Sequence, residues 1–235
     1  MELCELQLPN DLRLAFCKLD EYKTSPMKKI ILVLLASFTV SLGLSAQEFE
    51  GMIEFKKQEG KRIDNSVWYV KGDLVRVDEF EPGTRILKGC RLINTKDQTA
   101  KYLDHKAKTW TEMILTMSDA PQGVTVSESK NTKEILTYKT SEYMMRFPVD
   151  TMQLNYWVNF GKFGFFRPAL KFMAFDNVFY EYYWQLPAKD NMMPMLVTRT
   201  NAKGEETGRL EVTRIDKKVI DAKLFDIPAG YSEKK

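Results

Sequence analysis

The fold class of this chain is indicated most clearly by the stretch Trp68-Tyr69-Val70-Lys71-Gly72-Asp73-Leu74-Val75-Arg76-Val77. Apolar residues recur at every second position on both sides of Lys71-Gly72-Asp73, which is the period of a strand with one buried face. A Gly-Asp pair between two such runs is typical of a tight hairpin turn. The sequence therefore predicts two antiparallel strands here, with Trp68 and Val70 on the same face.

The same period extends to both sides of this hairpin. Upstream, Phe49, Gly51, Ile53 and Phe55 alternate with polar residues or Met, as in a half-buried strand. Downstream, Pro82-Gly83 marks a reversal. Further strands are predicted at Thr84–Asn94, Ala100–Leu103 and Thr109–Leu115. Turns spaced by about ten residues favour an antiparallel meander over alternating strands and helices.

The second half of the chain adds more strands and one helical pattern. Residues Thr116–Thr132 are polar and lack periodicity, so an exposed loop is predicted there. Pro168 opens a stripe of aromatic residues at spacings of three and four, which indicates a helix. The remaining strands are predicted at Glu134–Tyr138, Tyr143–Phe147, Gln153–Phe160, Met193–Thr200 and Thr207–Ile215. The predicted fold class is α+β, mostly antiparallel β, with one or two helices.

The N-terminal region has the pattern of a secretory signal peptide. Met27-Lys28-Lys29 precedes an uncharged run, Ile30–Leu44, that is too short to span a bilayer, and Ala46 is a small residue at the expected cleavage site. Residues 27–46 are therefore expected to be a cleavable signal, and residues 1–26 an upstream extension that is not native. The expected mature chain, residues 47–235, is a single periplasmic or secreted domain without a transmembrane span.

Charge and cysteine content exclude two classes of protein. The net charge is +3 for the 235 residues, and residues 1–46 carry equal numbers of basic and acidic side chains, so the mature domain keeps this near balance. A nucleic-acid-binding surface is not expected at this charge. Cys90 is the one cysteine after residue 46, so an internal disulfide framework is excluded, while a disulfide to a partner chain stays open.

The common catalytic and metal-binding patterns are missing from the sequence. His105 is the only histidine, in a predicted surface turn, so the usual His-dependent triads and zinc sites have too few residues. Cys90 is interpreted as a small structural residue of a strand rather than a redox thiol. We therefore expect no catalytic residues, no metal and no cofactor, and a protein that is not an enzyme.

Aromatic and methionine residues are unusually dense between Met144 and Met195. Two interpretations stay open. In the first, a helix packs on the sheet and the excess rings fill the core. In the second, the rings and flexible Met side chains line an apolar ligand cavity. The residues expected to line such a cavity are Trp68, Val70, Tyr156, Val158, Phe172, Phe175, Phe179 and Met195.

Three passages resemble a group of secreted domains in the LolA-like superfamily of outer-membrane lipoprotein carriers. They are the opening hairpin Trp68–Val77, the next hairpin Leu92–Leu103, and the closing segments Leu210–Ile215 and Asp221–Tyr231. The resemblance covers most of Glu48–Tyr231. It implies a strongly curved antiparallel sheet, an unclosed barrel, with helices over an apolar cavity, and in the carriers that cavity holds lipoprotein acyl chains.

Two functions follow as expectations. The first is a periplasmic, non-enzymatic binding protein for a lipid, an acyl chain or a lipidated partner. The alternative is a structural, interaction or sensor module of the cell envelope, which has the same fold with a filled core and an envelope protein as partner.

Overall fold

The computed structural model describes residues 49–115, 123–148, 151–173, 177–187 and 191–234. The strands in these ranges are β1 Glu50–Glu59, β2 Arg62–Lys71, β3 Leu74–Phe80, β4 Leu87–Asn94, β5 Thr99–Asp104, β6 Thr109–Met113, β7 Thr125–Ile135, β8 Tyr138–Arg146, β9 Gln153–Phe160, β10 Met192–Thr200, β11 Glu206–Lys217 and β12 Ser232–Glu233. The helices are α1 Phe166–Leu170, α2 Val178–Glu181, and two 3-10 helices at Tyr182–Gln185 and Ala222–Phe225. The expected upstream extension and signal peptide lie outside the described residues and stay predictions.

All twelve strands of the described residues belong to one sheet. Its order is β12-β6-β5-β4-β3-β2-β1-β11-β10-β9-β8-β7. The first six strands run as a meander from the middle of the sheet toward one edge, and β7 to β11 return from the other edge until β11 pairs with β1. Only the short β12 pairs in parallel, with β6. The sheet is therefore mostly antiparallel and unclosed, which confirms the predicted fold class.

The hairpin that decided the fold is observed as predicted. Strands β2 and β3 pair from Ser66 with Glu79 to Lys71 with Leu74. Gly72 has a φ of +57°, in the left-handed region that glycine adopts without steric cost. The register places Trp68 opposite Val77 and Val70 opposite Val75 on one face.

Two predictions in the second half were wrong. The predicted loop Thr116–Thr132 contains most of β7, which begins at Thr125, while residues 116–122 lie outside the described ranges. The predicted strand Glu134–Tyr138 contains the β7–β8 turn, where Leu136 and Thr137 have positive φ. Strand β7 is an edge strand with no buried residue, so it lacks the apolar alternation that identifies a strand in a sequence.

The aromatic stripe forms two short helices rather than one continuous helix among the described residues. Asn177 is extended, with φ of −149° and ψ of 102°, and its side chain accepts a hydrogen bond from the Phe179 amide. Asparagine is a favoured N-cap residue, so α2 begins after it and continues into the 3-10 helix at Tyr182–Gln185. No helix in the described part of the chain is long and apolar enough to cross a membrane.

The main core lies between one face of the sheet and these short helices. Ile53 and Phe55 of β1 share that face with Trp68, and all three are at most 2% exposed. Phe166 of α1 covers them: its ring centroid lies 5.2 Å from that of Trp68 and 6.1 Å from that of Phe55. We call the face of the sheet that carries Ile53, Phe55 and Trp68 the helix-covered face.

The C-terminal segment covers a smaller cluster on the opposite face. Cys90, Leu92 and Leu103 are buried there against Trp110, Ile227 and Tyr231. Gly230 has a φ of +86°, in the left-handed region that glycine adopts without steric cost. Phe225 is only half-buried, and the 3-10 helix Ala222–Phe225 contributes no buried side chain.

Candidate functional site

The residues expected to line an apolar cavity form one packed cluster. Seven of the eight are described, and none of them is more than 3% exposed: Trp68, Val70, Tyr156, Val158, Phe172, Phe179 and Met195. Phe175 lies outside the described residues. Trp68, Val70, Tyr156 and Val158 come from central strands, whereas Phe172 and Phe179 come from the helical segment.

Ring contacts hold the helical segment on the sheet. Tyr180 of α2 meets Trp68 edge-on, with 6.1 Å between ring centroids, and meets Phe55 at 6.5 Å. Phe166 meets Tyr180 at 6.1 Å and Tyr183 at 5.5 Å, both edge-on. Edge-to-face pairs at these distances add to the stabilisation from burial alone. These ring contacts therefore pack the helical segment against the sheet.

Buried tyrosine hydroxyls fix the same contact through hydrogen bonds. The Tyr156 hydroxyl donates to the Phe179 carbonyl at 3.2 Å, and the Tyr183 hydroxyl donates to the Met192 carbonyl at 2.8 Å. Burial holds the pKa of both phenols well above the usual value, so both remain protonated donors. The Tyr156 bond links strand β9 to helix α2, and the Tyr183 bond links the helical segment to β10.

A cleft lies beside this cluster, between the helical segment and the sheet. Its volume is about 540 Å³. We call it the charged cleft, and its lining residues are Lys57, Glu59, Arg62, Asp64, Asn65, Ser66, Glu79, Phe80, Pro82, Lys88, Arg91, Met173, Asn177, Tyr180 and Leu210. None of the seven described residues of the predicted cavity is among them, so their contact with a ligand stays a prediction.

The charges in the cleft come from the continuation of the buried alternation in β1 and β2. Beyond Phe55 the next residues on the helix-covered face are Lys57 and Glu59, which pair in the ladder with Asp64 and Arg62. Lys57 Nζ lies 3.5 Å from Asp64 Oδ2 and 3.3 Å from Glu59 Oε2. Arg62 Nε donates to the Asp64 carboxylate at 2.9 Å. On the helix-covered face, the apolar residue Phe55 is therefore followed directly by the charged pair of Lys57 and Asp64.

Strands β3 and β4 add a second ion pair to the cleft. Arg91 pairs with Glu79, and its guanidinium carbon lies 5.6 Å from the ring centroid of Tyr102. Arg91 stands opposite Val77 in the ladder, so it too belongs to the helix-covered face. Lys88 is exposed at the margin and forms no ion pair with the described residues. Among the described residues of the lining there are four basic and three acidic side chains, an excess of one positive charge.

The inner wall of the charged cleft is apolar. Met173, Tyr180 and Leu210 line it, and each is at least nine-tenths buried. Tyr180 also contacts Trp68, so its ring separates the cleft from the packed cluster behind it. A molecule in this cleft would meet ion pairs on one side and apolar side chains on the other, which suits an amphiphile.

Sequence reasoning missed the charged cleft, although one signal was present. Lys57 and Glu59 continue the same alternation as Ile53 and Phe55, so the strand period alone places them on the buried face. Arg91 alternates with buried Ile93 in the same way, but its ion pair with Glu79 depends on the register of β3 and β4, which the strand period alone does not give.

The two residues considered for reactive chemistry lie on the opposite face of the sheet. Cys90 is a free, fully buried thiol, and burial raises its pKa to about 11. His105 is partly buried rather than a free surface residue: its Nδ1 is hydrogen-bonded to the Tyr231 hydroxyl, and burial lowers its pKa. Among the described residues, no group of three or more His, Cys, Asp and Glu side chains is arranged to hold a metal ion.

No protein-family model and no curated protein matches the chain. Several solved structures have a similar fold. An uncharacterized conserved protein from Thermus thermophilus is 11% identical with a TM-score of 0.45, and the match covers 79% of this chain and 90% of that protein. MucB is 8% identical with a TM-score of 0.42, and the match covers 77% of this chain and 58% of MucB.

A putative outer membrane lipoprotein-sorting protein domain from Vibrio parahaemolyticus is also among these structures. It is 6% identical with a TM-score of 0.33, and the match covers 81% of this chain and 94% of that domain. The group named from the sequence is thus represented among the similar structures, and the likeness concerns the fold alone.

Proposed function

We propose that this chain is a non-enzymatic binding protein that takes an amphiphilic ligand, such as a lipid or the acyl chain of a lipidated partner, into the charged cleft. The observation that carries the proposal is a cleft of about 540 Å³ with an apolar inner wall and a charged outer wall. Small-molecule sites commonly have volumes of about 300–1,000 Å³ and combine apolar walls with a few placed polar groups.

The side chains of the cleft suit binding better than catalysis. Lys57, Asp64 and Glu59 are joined in ion pairs, and so are Arg91 and Glu79, which supports a role of these groups in recognition. Cys90 and His105 lie on the opposite face of the sheet, away from the cleft. An apolar tail would lie against Met173 and Leu210, and displacement of the Tyr180 ring would open the way to Trp68.

Export forms part of this proposal. The signal-like segment 27–46 supports a periplasmic or secreted location, where a carrier of lipids or lipidated proteins would act. N-terminal sequencing of the protein from envelope fractions is expected to find a start near Gln47. An intact Met1 on protein in the cytoplasm would contradict the proposed location.

Filling the cleft with a side chain tests the proposed site. Ser66 lines the cleft without belonging to the packed cluster, so Ser66→Phe puts a ring into the cleft and leaves the core contacts in place. We expect the parent to bind a fluorescent fatty-acyl probe saturably and Ser66→Phe to weaken that binding at least tenfold. Thr213→Phe adds the same ring at an exposed position of β11 and serves as the matched control. Equal binding by parent and Ser66→Phe would exclude this cleft as the site.

The second candidate function is an envelope interaction or sensor module with a filled core. The specific observation in its favour is that Phe172 and Phe179, expected to cover a cavity, are at most 3% exposed and pack in the core cluster. Phe179→Ala separates the two candidates. If the Phe179 ring covers a cavity, its truncation weakens probe binding more than it lowers stability.

A filled core predicts the opposite result for the same variant. Phe179→Ala would then lower the free energy of unfolding by about 3–5 kcal/mol, the range for emptying a buried phenylalanine site, and the parent would bind no probe. Chemical denaturation and probe titration on the same preparations measure both quantities. A large stability loss without saturable binding by the parent would leave only the second candidate.

A further inference from the structure

A second cleft lies where the β2–β3 and β4–β5 turns meet the helical segment. Its volume is about 440 Å³, and it shares no lining residue with the charged cleft. We call it the Arg167 cleft, and it is lined by Asp73, Thr95, Gly164, Phe165, Arg167, Pro168, Lys171, Trp184 and Asn191. Thr95 ties the two turns together, because its hydroxyl donates to the Asp73 carbonyl at 3.0 Å. One wall is therefore built from linked turns and the other from helices.

Arg167 is held in a fixed position in this cleft without a carboxylate partner. Its guanidinium carbon lies 5.0 Å from the ring centroid of Trp184, and its Nη2 donates to the Trp184 carbonyl at 3.3 Å. Arg62, Arg91 and Arg199 all form ion pairs with acidic side chains, whereas Arg167 forms none with the described residues. Packing on an indole ring restricts the side chain, so little freedom would be lost when it binds an anion.

Two N–H donors in the walls of the cleft have no acceptor among the described residues. The Nη1 of Arg167 and the indole Nε1 of Trp184 are both buried, and neither has a hydrogen-bond partner in the part of the chain that the structure describes. Buried polar groups in proteins are nearly always hydrogen-bonded, and each exception calls for an explanation. The guanidinium carbon lies 5.0 Å from the centroid of the indole ring, so both donors belong to the same wall of the cleft.

The charge of the cleft favours an anion as that acceptor. Lys171 follows Arg167 by four residues and lines the same cleft, and Asp73 is the only acidic side chain among the lining residues that the structure describes. The guanidinium fork matches the planar geometry of carboxylate and phosphate oxygens, which a single ammonium group does not.

We propose that the Arg167 cleft binds an oxyanion group, a carboxylate or a phosphate, on the side chains of Arg167 and Trp184. The site is separate from the charged cleft and does not depend on the proposed acyl binding. Its ligand is either a free anion or the anionic head group of an amphiphile.

Small anions that lack an apolar tail test the site without involving the charged cleft. We expect sodium phosphate and sodium acetate, compared with sodium chloride at equal ionic strength, to raise the melting temperature of the full chain in a saturable manner. Arg167→Met is expected to weaken binding of the better anion at least tenfold in calorimetric titration, and Arg167→Lys to weaken it less. Trp184→Phe keeps the ring, removes the indole N–H, and is expected to weaken binding severalfold.

Arg85→Met is the matched control, because Arg85 is exposed and forms no ion pair with the described residues. It is expected to bind like the parent. Dodecyl phosphate identifies the source of the anion: at least tenfold tighter binding than phosphate, lost in Arg167→Met, assigns an amphiphile head group, and equal binding assigns a free anion.

Two results would overturn the proposal. One is a parent that binds neither phosphate, acetate nor dodecyl phosphate in an Arg167-dependent manner. The other is unchanged anion affinity in both Arg167→Lys and Trp184→Phe, accompanied by a lower melting temperature, since Arg167 would then serve only to join α1 to the 3-10 helix at Tyr182–Gln185.

Discussion

Cys90 has a chemical state that is set by its surroundings rather than by its neighbours in the sequence. The thiol is fully buried in the small cluster under the C-terminal segment, with Leu92 and Leu103. Burial disfavours the thiolate and raises the pKa from 9.0 to about 11. Because the thiolate is the nucleophile, this cysteine is expected to be inert in the folded protein. The surrounding burial also leaves no room for a disulfide to a partner without local opening.

The raised pKa of Cys90 predicts a pH dependence of stability. Below pH 9 the thiol is protonated in both the folded and the unfolded chain and makes no difference. Between pH 9 and about 11 the unfolded chain loses this proton first, so the free energy of unfolding falls as the pH rises. Over this range the parent is expected to lose roughly 2 kcal/mol more than Cys90→Ala, measured by chemical denaturation. Parallel pH profiles for the two proteins would contradict the assigned burial.

At the scale of elements, the contact between β1 and β11 joins the two halves of the sheet. Strand β1 pairs with β2 on one side and with β11 on the other, from Gly51 with Lys217 to Glu59 with Gly208. Gly51 has a positive φ, and a Cβ built on it would overlap the carbonyl oxygen of Asp216. The glycine is therefore required by close approach of two backbones, and not only by its own conformation.

Gly51→Ala is expected to destabilise the protein by about 3 kcal/mol or more, because the overlap with Asp216 adds to the strain of a positive φ. Gly72→Ala is the matched control: its φ is also positive, but nothing lies within 4 Å of the added Cβ. The control is expected to lose only about 1–2 kcal/mol. Equal losses in thermal or chemical denaturation would show that β11 does not approach β1 closely.

At the scale of the whole molecule, protection should decrease from the centre of the sheet to its edges. Strand β1 has a neighbour on each side along its length, whereas β7 ends the sheet and β12 is short and ends it on the other side. Edge strands open with less loss of contacts than central ones. Hydrogen exchange followed by mass spectrometry is expected to find the slowest amides in β1, β2 and β11 and faster ones in β7 and β12. The fastest exchange in β1 would contradict this sheet order.

Much of the fold was predictable because strands and tight turns are specified by residues that are close together in the sequence. The alternation around Trp68 and Val70 and the Lys71-Gly72-Asp73 turn specify a hairpin within a few residues, and the structure has that hairpin. Strand β7 was missed because most of its residues are polar, so its pairing with β8, rather than its own pattern, makes it a strand. The break before α2 was missed because Asn177 acts as a cap only in the conformation that the fold gives it.

The candidate site was predictable only in part. The sequence identified the aromatic residues around Trp68 and Phe179 as one group, and the structure packs the described members of that group together. It did not indicate whether these rings surround a cavity or fill a core, because that depends on the distance between the helices and the sheet. Their contact with a ligand stays a prediction.

The sequence by itself determined the strand period, the turns, the near-neutral charge and the low histidine and cysteine content, since these are properties of residue type and short spacing. The tertiary structure decided which distant segments meet. It brings Arg91 of β4 into one cleft with Lys57 of β1, and it stacks Arg167 on Trp184. The physical reason is that side-chain direction follows from the local backbone, whereas strand register and helix placement come from burial summed over the whole chain.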